Sequence, residues 1–146
     1  MLKNKLDLES VKIELDSETV LDNVNLSIND GEIVSLMGSS ASGKTSLIRS
    51  IAGFKNIASG IIRIDGQIVD DSIKQVDIVD RNIGVIFQDL ALFPHLSVRD
   101  NVCFGIGGLS EISKIQRAEK LEQMLGIENI ATRYPSQISG GQQQRV

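Results

Sequence analysis

The sequence predicts an α/β fold, and three features predict it. Strand-like segments fill the first third, a strand–glycine-rich loop–helix unit follows, and beyond Ser97 the pattern turns helical. Val11 to Leu15 and Val20 to Ile28 read as strands, closed by the turn Asn29-Asp30-Gly31. Glu32 to Met37 is almost continuously apolar, as a strand buried on both faces should be. The helix after the loop is expected from about Lys44 to Ala52. Its residues Leu47, Ile48, Ile51 and Ala52 share one side, and Gly53 stops it. Ser59-Gly60 opens a strand through Ile64, turned at Asp65-Gly66, and Ile83 to Phe87 is a second candidate for a buried strand. Ile112, Ile115, Ala118, Leu121 and Leu125 then recur at helical spacing.

The chain has 146 residues, enough for one domain with a sizeable core. A net charge of −4, with arginines scattered from Arg49 to Arg145, argues against a nucleic-acid partner. The single cysteine, Cys103, excludes an internal disulfide and suits a reducing compartment; a small buried apolar role explains it. Apolar runs are too short to cross a bilayer, and no apolar stretch follows the basic N-terminal residues as a secretory signal requires. The expected location is the cytoplasm, with any membrane role reached through a partner.

Gly38-Ser39-Ser40-Ala41-Ser42-Gly43-Lys44-Thr45 has the spacing of a phosphate-binding loop. Glycine lets the backbone turn tightly and aim consecutive N–H groups at phosphate oxygens, and the following helix adds its positive end. Lys44 is expected at the β- and γ-phosphates of ATP, Thr45 on Mg²⁺, and Ser46 near the α-phosphate. The bland alternative, a flexible Ser/Gly turn, does not explain why the motif falls between a buried strand and a helix.

Ser139-Gly140-Gly141-Gln142 is the second informative segment. Ser139 with Gln142 three residues on reads as a capping box. Two adjacent glycines weaken a helix start by roughly 1 kcal/mol each. They make sense where a group such as a γ-phosphate approaches the backbone closely.

At this point a resemblance becomes specific. Ile138 to Val146 resembles the signature motif of ATP-binding cassette (ABC) ATPases, with Ile138 where Leu is usual. Phe87-Gln88 resembles that family's Q-loop, and Phe93 to Val98 with Asn101 looks like the stretch that follows it in importers. The resemblance runs from about residue 6 to the last residue. It implies a P-loop NTPase with a RecA-like core, an antiparallel β subdomain and a helical subdomain at about 89–140, the whole chain forming one ATP-binding domain. It implies a head-to-tail dimer, in which the loop Gly38–Ser46 of one subunit and Ser139–Gln142 of a second enclose ATP. Gln88 would contribute to catalysis and to Mg²⁺, and would couple the nucleotide to transmembrane permease subunits. A solute-binding protein is an indirect partner, and the place is the cytoplasmic face of the cell membrane. Phe93, Pro94 and Leu96 are candidates for docking on the permease, or for the core of the helical subdomain.

Two residues depart from the family pattern. Leu15 stands where an aromatic residue usually stacks on adenine, and a leucine has no π-face to offer. Ala41 stands where glycine is common, which strains the loop if φ is positive there. The family's Mg²⁺-organising Asp, catalytic Glu and switch His follow the signature, and His95 is not in the setting of that histidine. The expectation is therefore an incomplete chain, inactive by itself. The leading function is the ATPase subunit of an importer, resembling those for ferric iron, sulfate, polyamines and maltose; Arg133-Tyr134-Pro135 inclines the reading to ferric iron. A soluble ABC ATPase and a module that binds nucleotide without hydrolysing it are the alternatives. A small-molecule P-loop kinase would share Gly38 to Thr45 but not Ser139 to Gln142.

Overall fold

The computed structural model describes residues 4–146. The chain divides into two compact units, one running through Val85 and the other from Ile86 to Val146.

In the first unit, strands β1 (Asn4–Leu15), β2 (Glu18–Asn29), β3 (Ser59–Ile64) and β4 (Gln67–Asp70) form one antiparallel sheet in the order β2-β1-β3-β4. Its two hairpins turn at Asp16-Ser17, with φ of 50° and 69°, and at Asp65-Gly66, with φ of 52° and 80°. Positive φ at both central residues matches the right-handed twist of the flanking strands, and Asp, Ser and Gly carry it at low cost. β1 slips register between Leu8 and Val11, where Ser10 takes a φ of 47° and its N–H is held by the Asn25 side chain at 2.9 Å.

Helix α1 (Lys44–Ala52) closes this unit by adding Leu47 to a core of Leu8, Val11, Ile13, Ile57, Ile62 and Val69. Ile51 is half-buried against the same cluster, whereas Ile48 is exposed, so the expected apolar face is narrower than its periodicity suggested. Gly53 ends the helix in the left-handed conformation, φ 93°, and Phe54 N–H returns to Arg49 O at 2.8 Å.

The second unit packs Val98, Ile127, Ile130 and Ile138 together. Helix α2 (Val98–Phe104) starts at a capping box of Ser97 and Asp100, and α3 (Glu111–Leu125) starts at Ser110 and stops at Gly126, φ 64°. Arg99 on α2 reaches Glu122 on α3 through two bonds of 2.9 and 2.7 Å, from Nε and Nη2. These bonds hold the Arg99 guanidinium above its ordinary pKa. α3 buries Ala118 and Glu122 and half-buries Leu121, whereas Ile112, Ile115 and Leu125 are exposed, so this unit covers only the middle of the stripe expected from periodicity. Cys103 is half-buried and burial pushes its thiol up, which fits an inert packing role.

One expectation fails. Glu32–Met37 and Ile83–Phe87 are not strands, and Ile33 and Ile86 are 98% and 99% exposed. A strand of a parallel sheet needs hydrogen-bonded neighbours and cover on both faces. Among the described residues the only sheet is the antiparallel one, and neither segment pairs with it. An apolar run alone does not supply the hydrogen-bonded neighbour that a strand needs.

Candidate functional site

The loop 38–43 leads directly into α1, whose N-cap is Gly43 with φ 88°. Gly43 has two reasons to be glycine: that backbone angle, and a side-chain β-carbon that would fall 2.8 Å from Leu21 Cγ and 3.0 Å from Val20 Cγ1. No side chain caps α1, so its first-turn N–H groups lack a partner within the helix. Lys44 folds back over the loop. Its Nζ donates to Gly38 O at 2.9 Å, to Ser39 O at 2.6 Å and to Ser42 Oγ at 3.3 Å. The cation and the helix N-terminus thus converge on one small concavity, the arrangement that binds anions.

A cleft of about 260 Å³ is lined by Ala41 to Ser46 on one side and by Leu15 and Val20 on the other. The structure therefore places Leu15 beside the loop, although the two lie far apart in sequence. Val20 was missed as a lining residue; a β-branched residue in a strand carries no signal that it faces a loop rather than the core. Ala41 has φ 64°, the strained conformation that glycine would adopt freely. Ala41→Gly is expected to stabilise the first unit by about 0.5–1 kcal/mol, the relief of strain less glycine's greater freedom in the unfolded chain. Urea unfolding measures it; a lower midpoint would show that the loop does not hold this angle.

Gln88 and the signature segment belong to the second unit. Gln88 lies in a turn in which Leu90 N–H bonds Phe87 O at 3.3 Å. Phe93 packs on Phe104, with ring centroids 4.3 Å apart, and Asn101 fixes its backbone through Phe93 N–H and O at 2.8 and 3.2 Å. Phe93 and Pro94 are exposed and Leu96 half-buried.

Ser139 caps the short helix α4 (Gly140–Gln143). Its Oγ accepts from Gln142 N–H at 3.3 Å, and its own N–H donates to Gln142 Oε1 at 2.9 Å, so the capping box is formed. Gln143 Nε2 donates to Pro135 O at 2.8 Å, and Arg145 Nη1 to Leu125 O and Gly126 O at the end of α3. These bonds fix the segment from behind. Gly140 and Gly141 have open space where a side chain would go, and neither has positive φ. Nothing within the described chain requires glycine at either position.

A sequence model of ABC transporters matches residues 21–146. The chain belongs to the ABC transporter family. Within that family it is 42% identical, over 99% of its length, to an Fe(3+) ions import ATP-binding protein of Escherichia coli O157:H7. It is 42% identical over 95% of its length to a sulfate/thiosulfate import ATP-binding protein of Synechocystis. A spermidine/putrescine import ATP-binding protein of Haemophilus influenzae is 39% identical over 99% of the chain. The chain spans 41%, 39% and 39% of these three relatives. A dimeric ATP-binding cassette bound to ADP and Pi superposes with a TM-score of 0.80 at 31% identity, over 96% of this chain and 66% of that one. A cassette of Clostridium perfringens, part of a cbiONQ transporter complex, gives 0.81 at 27% identity, over 98% and 59%. Among the described residues no helix is long and apolar enough to cross a membrane.

Proposed function

We propose that this chain binds ATP at Gly38–Ser46 and forms part of the ATP-binding and ATP-hydrolysing subunit of an ABC importer, peripheral at the cytoplasmic face of the cell membrane through its permease subunits. The observation that carries the proposal is the phosphate loop itself, with Lys44 and the uncapped start of α1 on one concavity. The loop amides and Lys44 bind and orient the β- and γ-phosphates. Leu15 and Val20 offer an apolar wall to the nucleoside.

Mg²⁺ fits this site through Thr45, an exposed hydroxyl in the first turn of α1. Among the described residues no cluster of carboxylates, histidines or cysteines could hold a metal alone. That suits an ion held by one or two side chains together with phosphate oxygens and water. When bound, Mg²⁺ neutralises charge on the phosphates.

Ser139, Gly140, Gly141 and Gln142 are assigned to the ATP of a second, head-to-tail subunit. Two glycines that neither packing nor backbone angle requires are explained by close approach of a group from outside. Gln88 is assigned to coupling with the permease, and Phe93, Pro94 and Leu96 to its docking surface. A solute-binding protein acts upstream of the permease. Iron, sulfate and polyamine relatives match almost equally well, so no solute is singled out.

If Leu15 lies against the base, Leu15→Tyr should tighten ATP binding by roughly 0.5–1.5 kcal/mol through stacking. Calorimetric titration with ATP and with inorganic tripolyphosphate tests this. The gain should be confined to ATP, and unchanged or weaker ATP binding would place the base elsewhere.

A further inference from the structure

We infer that Arg81 is a positioning residue for the nucleotide site, holding the phosphate-loop helix in register from its far end. The inference rests on the phosphate-loop reading above. Helix α1 has Lys44 and Thr45 in its first turn and ends at Ala52. Its two ends are about 13 Å apart at ~1.5 Å per residue. The last carbonyls of a helix have no partner within it. Arg81 supplies one: Nη1 donates to Ser50 O at 2.9 Å and to Ile51 O at 2.8 Å. The same guanidinium donates from Nη2 to Val69 O on β4 at 3.2 Å, and from Nε to Val76 O at 3.1 Å. One planar cation therefore ties the end of α1 to the sheet and to the segment that follows it.

The surroundings are shaped for this group. Arg81 is 2% exposed and Asp70 1%. Asp70 Oδ2 lies 3.6 Å from Nη2, an ion pair at a distance too long for a hydrogen bond, while Oδ1 accepts from Ser72 N–H at 3.0 Å. The capping glycine makes room. A β-carbon at Gly53 would fall 2.7 Å from Arg81 Nε and 3.0 Å from Cζ. A positive charge at a helix C-terminus is also favoured by the helix dipole. Lysine cannot replace this geometry, because its point charge cannot serve four carbonyls in the plane of a fork.

The consequence falls at the other end of the helix. At this end of α1 the apolar packing is Ala52, buried, and Ile51, half-buried against the core, and the Arg81 guanidinium adds the side-chain hydrogen bonds that fix the last carbonyls. A helix released at one end pivots, and the amides and Lys44 of its first turn leave the phosphate geometry. The effect on affinity then acts through α1, with no contact between Arg81 and the nucleotide.

The test compares Arg81→Lys and Asp70→Asn with the parent protein, and with Lys44→Ala as control. A fluorescent ATP analogue is titrated and then displaced with inorganic tripolyphosphate, at a temperature below each variant's thermal transition and with circular dichroism confirming the fold. Arg81→Lys should weaken ATP and tripolyphosphate by the same factor, about five- to tenfold, and Asp70→Asn by about twofold. A folded Arg81→Lys protein with parental affinity and only a lower melting temperature would reduce Arg81 to a structural role. A loss seen with ATP but not with tripolyphosphate would also overturn the inference. If Arg81→Lys does not fold, Asp70→Asn decides, and parental affinity in that variant rejects the proposal. Unchanged affinity in Lys44→Ala would remove the phosphate-loop reading itself. A strong loss there beside a parental Arg81→Lys would remove only the role of Arg81.

Discussion

Replacing Lys44 by alanine is expected to weaken ATP binding at least about tenfold, since a charge-assisted phosphate contact contributes roughly 1.5–3 kcal/mol. The ammonium group is already in the loop, 2.6–2.9 Å from the carbonyls of Ser39 and Gly38. It exchanges those contacts for phosphate oxygens without a long excursion. Lys44→Arg should not restore binding, because the wider fork does not fit a loop that closes around a point charge. Calorimetry of the two variants beside the parent measures both effects. Equal ATP affinity in Lys44→Ala would mean that the loop is a turn and nothing more.

Arg99→Ala is expected to destabilise the helical unit by about 2–3 kcal/mol. Breaking a buried pair by removing one partner costs about 3–5 kcal/mol, and the partial exposure of Arg99 lowers that. The cost arises at Glu122, which is 1% exposed and would lose its bidentate partner. The sign with pH is clear. Arg99 has its pKa raised by Glu122, so its contribution is fully present below its unfolded pKa and is lost only as pH rises through the higher folded one, far above neutrality. Urea unfolding followed near neutral pH should therefore show the full loss, and Glu122→Leu in the Arg99→Ala background should recover much of it. No recovery would point to lost packing by the arginine stem rather than to the orphaned carboxylate.

Much of this could be read from residues alone, for reasons that are local. Gly38 to Thr45, the cap at Gly53, the turn at Asp65-Gly66 and the box from Ser139 to Gln142 are decided within a few residues by backbone angles and short hydrogen bonds. Ala41 posed a conditional question, and φ 64° answers it on the strained side. What escaped the sequence depends on distant neighbours. Ile33 and Ile86 sit in strand-like runs that find no partner in the antiparallel sheet. Arg81 and Glu122 stand among ordinary polar residues, and only folding shows that each is buried. Periodicity finds Ala118 on the buried face of α3 but not Glu122, which takes a buried place there because Arg99 pairs with it.

The most direct test of the phosphate site is to add Mg²⁺ and ATP to uniformly ¹⁵N-labelled protein and follow its backbone amides. The account predicts that the amides of Ser39 through Ser46 move first and furthest, with smaller changes at Leu15 and Val20, and that Lys44→Ala abolishes the pattern. Saturable shifts elsewhere, with the loop amides unmoved, would contradict it.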